Sequence, residues 1–351
     1  MNVKHINMRR TLVLFGLIVC TILGTFAKDY RVNSPDGKIS VTVNVGNYIK
    51  WSASINGKEI INSSRIGMIL SDGKVLGVNE KVKKATVSPW NNVITPVVAY
   101  KRSVIKDNCN ILLITFGSGF SLQFRAYNDG VAYRFETFFK EDILINKEIA
   151  DFCFPSGTHS WYPLEKSFMS HIEPVYIYSL LDTIGNKHLA SLPALFQVNE
   201  VNVLITESDI DDYPGMWLIG AEKGKISGTW PRYPDVEKLE KDLDLFVINT
   251  KEYIAKAKGT RTFPWRTFVI AQNDVKLIES DLVFKLAQPN KIKDIDWIKP
   301  GKVAWDWWHD SNIYGVDFRA GMNNNTYKYY IDFASKFGIE YILIDGGWSE
   351  T

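Results

Sequence analysis

Residues 302–344 read KVAWDWWHDSNIYGVDFRAGMNNNTYKYYIDFASKFGIEYILI, and this stretch divides into a strand, a helix and a second strand. The predicted strands are Lys302–Trp308 and Glu340–Ile344. Between them, Thr326–Phe337 carries apolar side chains at helical spacing. This order of elements predicts a βαβ unit, the connection that joins parallel strands.

Local signals at the helix ends and in the second strand agree with this unit. Asn325 is expected to cap the helix at its start, and Gly338 stands where a left-handed residue ends a helix. The run Tyr341–Ile344 is apolar without alternation. Such a run is typical of a strand covered on both faces, as in a parallel sheet with helices outside it.

The chain upstream of this unit has the pattern of an all-β domain. From Tyr30 to about Val283 it reads as strands separated by turns, and Lys38–Val45 alternates apolar and polar residues with period two. Dipeptides such as Asp36-Gly37 and Asn56-Gly57 are turn chemistry. This many strands predict a large antiparallel sandwich, a supersandwich, followed by the first βαβ unit of a truncated (β/α)₈ TIM barrel.

Four segments follow from these patterns. Residues 1–27 are interpreted as a signal peptide, residues 28–289 as the β-sandwich domain, residues 290–300 as a polar, Pro-bounded linker, and residues 301–351 as the truncated start of the barrel.

The N-terminal segment has the layout of an export signal. Basic residues precede an uncharged run, Thr11–Ala27, and small residues at Thr25 and Ala27 predict cleavage near Ala27. The apolar part, Leu12–Leu23, is shorter than the roughly 20 residues that span a bilayer. A periplasmic or secreted protein without a membrane span is therefore expected.

Composition narrows the class of partner. Lys and Arg number 41 against 39 Asp and Glu, a net charge of +2, and no basic stripe is present, which argues against nucleic acid. Aromatic residues make up 13% of the chain, with 11 Trp, and such rings stack on sugars as well as filling cores. Cys109 and Cys153 remain equally compatible with a disulfide and with two free thiols.

Candidate site residues follow both predicted barrel strands. Trp305, Asp306 and Trp308 come at the end of the first strand, and Asp345 and Trp348 come after the second. In (β/α)₈ enzymes the active site is built at the carboxyl ends of the strands, so these side chains are candidates for substrate binding. Helix capping, loop hydrogen bonds and core packing are the structural alternatives.

A second concentration of charge lies within the sandwich domain. Four carboxylates fall within six residues in Glu207–Tyr213. A calcium ion with oxygen ligands would offset their repulsion. On the residues alone a solvated acidic loop is the favoured explanation, because the spacing does not match an EF-hand.

Several blocks of the chain resemble glycoside hydrolase family 97. Along the chain they are Ser34–Lys38, Arg125–Phe135, Trp297–Trp308, Gly315–Phe318 and Tyr327–Ala334, and this is the order expected of that family. The resemblance implies an exported, calcium-dependent α-glycoside hydrolase, an α-glucosidase or α-galactosidase, acting on oligosaccharides or other α-glycosides.

The resemblance also implies roles for individual residues. By position, Glu207 would be a calcium ligand that reaches from the sandwich to the active site, and Trp230 would approach the substrate. Family members carry an acidic residue before the Gly-Trp pair of the second strand, where this chain has Gly346. In the family, the general acid and the base or nucleophile lie on later barrel strands, so the resemblance implies that the catalytic residues lie beyond Thr351. The 351-residue chain alone is therefore expected to be inactive. The alternative from another class is a non-catalytic carbohydrate-binding protein.

Overall fold

The protein is described by a computed structural model that covers residues 27–98, 100–185, 188–222, 224–239 and 245–346. The interpretation of the N-terminal segment as a signal peptide and the candidate Trp348 lie outside these described residues. Within them, no helix is long and apolar enough to span a membrane.

The described chain is rich in β-strands. The strands are β1 Lys28–Asn33, β2 Ile39–Val45, β3 Ile49–Ile55, β4 Lys58–Leu70, β5 Val75–Leu76, β6 Val82–Ile94, β7 Ile105–Phe116, β8 Phe120–Tyr127, β9 Gly130–Phe138, β10 Ile143–Cys153, β11 His159–Glu165, β12 Tyr176–Leu180, β13 Leu189–Ala190, β14 Ala194–Val198, β15 Val201–Ser208, β16 Trp217–Glu222, β17 Lys225–Thr229, β18 Pro234–Leu239, β19 Leu245–Thr250, β20 Ala255–Ala257, β21 Thr260–Thr262, β22 Trp265–Ala271, β23 Val303–Trp305 and β24 Tyr341–Leu343. The helices are α1 Asp274–Glu279, α2 Leu282–Leu286 and α3 Asn324–Phe337.

Two antiparallel sheets make up most of the molecule. The first sheet has the order β1-β2-β3-β4-β10-β20. The second sheet has the order β6-β7-β8-β9-β22-β15-β14-β11-β12. Strands β17, β16 and β13 connect β10 of the first sheet to β11 of the second. The predicted antiparallel, β-rich domain is confirmed.

Aromatic side chains fill the space between the two sheets. Trp51 of the first sheet is buried, and its ring centroid lies 4.9 Å from that of Phe268 and 5.6 Å from that of Tyr133 in the second sheet. The alternation expected around β2 is present, because every second residue from Ile39 to Val45 is buried. Burial of these side chains is the main stabilising contribution to the sandwich.

Two short helices cover the outer face of the second sheet. Leu282 and Leu286 of α2 are buried beside Tyr127 and Trp265. The prediction of strand as far as Val283 is therefore wrong for the segment from α1 onward. Helices of five or six residues are too short to show a helical period in the sequence, and packing on the sheet determines them instead.

The βαβ unit is present, with shifted boundaries. β23 and β24 pair in parallel, and Gly338 ends α3 with a φ of 66°. The first strand is shorter than predicted, because 306–309 form a 3₁₀ helix. Asn323, rather than Asn325, caps α3 by accepting a hydrogen bond from the Thr326 N–H at 3.0 Å. β24 is partly exposed instead of covered on both faces, since its sheet neighbour among the described strands is β23.

The two cysteines of the sandwich domain do not form a disulfide with each other. Cys109 is buried in β7, and Cys153 is half-buried at the end of β10. Of the two alternatives that the sequence allowed, the structure has the one without a disulfide.

Candidate functional site

Arg266 links the two sheets through a buried ion cluster. Its Nε donates to Glu148 Oε1 at 2.9 Å and its Nη2 donates to Glu148 Oε2 at 2.6 Å. Its Nη1 donates to Glu207 Oε1. Glu148 belongs to β10 of the first sheet, whereas Glu207 and Arg266 are paired directly across β15 and β22 of the second. One guanidinium therefore holds a carboxylate from each sheet.

Glu207, the candidate metal ligand, is almost fully enclosed in this cluster. Its side chain is 6% exposed, and its second oxygen accepts a hydrogen bond from the Met216 N–H at 2.6 Å. Burial raises the pKa of Glu207, although the positive charge of Arg266 opposes the shift. The Glu207 carboxylate thus lies inside the protein and both of its oxygens are engaged.

The carboxylates next to Arg266 keep its guanidinium group protonated. Burial lowers the pKa of Arg266, but the adjacent Glu148 and Glu207 carboxylates outweigh this and raise the pKa above its ordinary value. Two carboxylates around one guanidinium leave a net charge of −1 in the buried cluster. A buried charge of this kind is costly unless it is hydrogen-bonded, and the bonds from Met216 and Tyr213 meet part of that need.

Two aromatic residues complete the surroundings of the cluster. The Tyr213 hydroxyl donates to Glu148 Oε2 at 3.2 Å. The ring of Trp230, the candidate substrate-binding residue of the sandwich domain, lies 5.0 Å from Arg266 Cζ. Trp230 lines a small cavity of about 180 Å³ together with Glu148 and Arg232. The structure therefore brings Glu207 and Trp230 together at Arg266.

Sequence reasoning missed Arg266 and Glu148. The available signal was Arg266 itself, a charged residue within the mostly apolar segment WRTFVIA (265–271). Every residue of this segment is buried in the structure. A charged residue in such a strand requires a buried partner. The sequence contained no indication that the partner would be Glu148.

The other carboxylates of the acidic segment are dispersed. Asp209 accepts from the Gln288 N–H at 3.2 Å and lies 3.8 Å from Arg134. Asp211 lies 3.1 Å from Lys291 Nζ. The side chain of Arg261 donates to the backbone carbonyls of Asp211 and Asp212 at 2.6 and 3.0 Å. The carboxylates of Asp209 and Asp211 therefore have separate partners, and Arg261 binds the backbone of the segment.

A calcium site does not assemble from these side chains alone. Across the described ranges, no group of three or more His, Cys, Asp or Glu side chains is positioned to hold a metal ion. Calcium takes six to eight oxygen ligands, and Glu207 would contribute one or two. The residues present therefore do not by themselves fit the metal that the family resemblance implies.

The candidates in the βαβ unit divide into two environments. Trp305 Nε1 donates to Asp345 Oδ2 at 3.0 Å, which joins the ends of the two parallel strands. The ring of Trp308 packs edge-on against Trp305, with centroids 5.0 Å apart, and Trp308 itself is 73% exposed. These three side chains form one cluster at the carboxyl ends of β23 and β24.

Asp306 faces the helix of the unit. It is fully buried, and Ser311 Oγ donates to its Oδ2 at 3.4 Å. Burial raises the pKa of Tyr327 to about 12, and the nearby charge of Asp306 adds to the shift. The Asp306 carboxylate therefore lies inside the unit, and its Oδ1 has no hydrogen-bond partner among the described residues.

Comparisons with known proteins match both parts of the chain. The family model described as "Glycosyl-hydrolase 97 N-terminal" matches residues 32–289, and the model described as "Glycoside hydrolase 97" matches residues 307–351. A retaining alpha-galactosidase of Bacteroides thetaiotaomicron is 36% identical over 355 residues, which include 97% of this chain and 54% of the relative. A probable retaining alpha-galactosidase of Streptomyces bingchenggensis is 26% identical and covers 66% of this chain and 32% of its own length.

A solved structure agrees in fold. A glycoside hydrolase family 97 enzyme from Pseudoalteromonas sp. strain K8, in complex with acarbose, superposes with a TM-score of 0.77 at 25% identity. The match covers 92% of this chain and 48% of that enzyme. The chain thus spans about half the length of the first relative and of the solved enzyme. Because the N-terminal family model covers most of its residues, this chain belongs to glycoside hydrolase family 97.

Proposed function

We propose that this chain belongs to an exported α-galactoside hydrolase that acts with retention of configuration. The observation that carries the proposal is the 36% identity, along 97% of this chain, to a retaining alpha-galactosidase. The solved enzyme bound to acarbose supports the broader class of α-glycosides. Galactose is preferred because the more extensive sequence match points to it.

In this proposal the βαβ unit opens a (β/α)₈ barrel, and its strand ends contribute to the substrate site. Support comes from the parallel pairing of β23 with β24 and from the cluster of Trp305, Trp308 and Asp345 at their carboxyl ends. Active sites of such barrels lie at that end. Trp308 offers an exposed ring face for a sugar, and Asp345 offers a carboxylate oxygen to a sugar hydroxyl.

Retaining hydrolysis needs an acid and a nucleophile whose carboxyl groups lie about 5–5.5 Å apart. We assign neither role within the described residues. Asp306 is buried against α3, and Asp345 is bonded to Trp305. Glu207 is engaged by Arg266 and by the backbone of Met216. The contribution of this chain is therefore to bind and to position, and we expect the 351 residues alone to show no turnover.

Calcium is proposed as the metal of the enzyme on the family resemblance and on the preference of calcium for carboxylate oxygens. Among the described residues, Glu207 is the one expected calcium ligand. In this proposal the remaining ligands come from other parts of the complete protein. Export is proposed from the N-terminal basic and apolar residues. N-terminal sequencing of the protein recovered from the periplasm or medium tests it, and a mature start near Lys28 is expected.

The deciding experiment uses the product of the complete gene with p-nitrophenyl α-galactoside and p-nitrophenyl α-glucoside, with calcium present. We expect release from the galactoside to exceed release from the glucoside, and proton NMR to show α-galactose as the first product. Faster release from the glucoside would replace galactose by glucose in the proposal. Saccharide binding without release from either substrate would favour a non-catalytic carbohydrate-binding protein.

A further inference from the structure

A large cavity lies on the outer face of the second sheet, beside the end of β6 and the segment 284–290. Its volume is about 780 Å³, within the range of roughly 300–1,000 Å³ that is usual for small-molecule sites. Its lining combines tryptophan and proline with a few charged side chains. This composition is typical of a ligand site, in which apolar walls surround a small number of polar groups.

The cavity and the Arg266 cluster lie on opposite faces of one strand. Trp265 lines the cavity, whereas its neighbour Arg266 points between the two sheets to Glu148. Side chains alternate between faces along a strand, so adjacent residues serve different sides. The cavity is thus separated from Glu207 by the sheet itself.

Rings and guanidinium groups alternate on the cavity floor. Arg125 Cζ lies 4.9 Å from the ring of Trp265 and 5.4 Å from the ring of Trp90. Arg134 Cζ lies 4.3 Å from the ring of Trp265. These cation–π contacts hold the guanidinium groups in fixed positions, which pre-organises their N–H donors. Trp90 also keeps 38% of its surface exposed, as a wall that a ligand can reach.

Asp107 and Arg125 on this floor each have one buried atom without a hydrogen-bond partner within the described part of the chain. Asp107 is 2% exposed, and its Oδ2 accepts from Trp90 Nε1 at 2.6 Å, but its Oδ1 has no partner. Arg125 donates through Nη1 to the Tyr127 hydroxyl at 3.3 Å, but its buried Nε has no acceptor. A buried donor or acceptor without a partner is costly, so a ligand that satisfied both groups would bind more tightly.

Charged side chains of both signs surround the cavity. Arg134 lies 3.3 Å from Glu136 and 3.8 Å from Asp209, and Lys285 is paired with Asp129 at 3.3 Å. Arg125 and Asp107 add one cation and one anion to the same lining. A ligand with a net charge would meet a like charge here. A hydroxyl group, which both donates and accepts, fits an unmet carboxylate oxygen beside an unmet N–H.

We propose that this cavity is a binding site for a neutral saccharide, with Trp90 as the ring-stacking wall and Asp107 and Arg125 as the hydroxyl-binding pair. Binding at this site does not require hydrolysis, so this proposal is independent of the function proposed above.

Titration calorimetry of the 351-residue protein with melibiose tests this site, with Trp90→Ala and Arg125→Met as the cavity variants. Arg125→Met keeps the apolar stem between the rings but removes the donors. Trp161→Ala is the matched control, because Trp161 is a similarly exposed tryptophan, at 43%, on β11 of the same sheet. Thermal unfolding checks that each variant is folded.

We expect the association constant to fall at least tenfold in both cavity variants, while Trp161→Ala binds as the wild type does. Saccharide density in the cavity of a soaked crystal would support the same conclusion. Three results would overturn the proposal: no measurable binding by the wild type, equal loss in Trp161→Ala, or galacturonate binding much more tightly than galactose. Hydrolysis of galactosides by the complete gene product does not bear on it, so the two proposals fail separately.

Discussion

Arg266 and Glu148 form a two-point ion pair across the sandwich, with Nε 2.9 Å from Oε1 and Nη2 2.6 Å from Oε2. The pair is buried on both sides and joins strands of different sheets. Glu207 shares the same guanidinium. The position of Glu207 is therefore set by a bond network that spans both sheets.

Arg266→Met is expected to destabilise the protein by about 3–5 kcal/mol, because it leaves two buried carboxylates without a cation. Chemical denaturation measures the change in the free energy of unfolding. Arg232→Met is the control, since Arg232 makes a 3.1 Å pair with Glu252 at the surface, where both side chains are more than half exposed. That change should alter stability by less than about 1 kcal/mol. Equal effects of the two substitutions would refute the structural role of Arg266.

Gly130→Ala is expected to destabilise the sandwich by about 3 kcal/mol. A Cβ at Gly130 would lie 2.2 Å from the backbone oxygen of Phe268 in the paired strand, and a backbone atom cannot move aside. Gly117→Ala is the matched control, because its nearest contact, the Lys81 oxygen, would be at an ordinary 3.6 Å. Thermal unfolding of both variants distinguishes them, and an unchanged melting temperature for Gly130→Ala would contradict the packing of β9 on β22.

Cys109 is expected to be unreactive in the folded protein. Burial raises the pKa of its thiol from 9.0 to about 11. In native protein that carries Cys20→Ser and Cys153→Ser, Ellman's reagent at pH 8 should detect no thiol, and in concentrated guanidinium chloride it should detect Cys109. Rapid reaction of the native variant would contradict the burial of Cys109.

The same pKa shift predicts how stability depends on pH. The folded protein keeps the Cys109 proton up to about pH 11, whereas the unfolded chain loses it near pH 9.0. The stabilising contribution is therefore complete below pH 9.0 and is lost as the pH rises through about 11. Cys109→Ala should remove this part of the pH dependence of the unfolding free energy. A wild type and variant with parallel pH profiles would contradict it.

Millimolar calcium is expected to leave the melting temperature of the 351-residue chain unchanged. Both oxygens of Glu207 are engaged by Arg266 and Met216, and the described residues present no metal-binding group of three. Magnesium and EGTA serve as controls for ionic effects. A calcium-specific rise of several degrees would reveal a ligand set within this chain.

The sequence predicted those features that depend on local patterns. The alternation in Ile39–Val45 indicated a half-buried strand, and Gly338 marked the end of α3. The cap of α3 was misplaced within the run Asn323–Asn325, because three identical residues offer the same side chain and the helix start decides which one is used. Short α1 and α2 were missed because their lengths do not complete a recognisable period.

Features that depend on distant contacts could not be predicted. Arg266 and Glu148 are 118 residues apart in the chain, and their pairing depends on how the two sheets stack. The meeting of Glu207 and Trp230 at Arg266 has the same origin. Family resemblance indicated Glu207 and Trp230 as site residues. It did not indicate that the two side chains would meet at Arg266.

The central claim, that Glu207 serves an α-galactoside-cleaving site, is tested by kcat/KM of the complete gene product on p-nitrophenyl α-galactoside with calcium present. Glu207→Gln should lose roughly a hundredfold or more, and Asp211→Asn, an exposed acid of the same segment, should retain wild-type activity. Both variants should unfold cooperatively as the wild type does. Full activity of a folded Glu207→Gln variant would contradict the account.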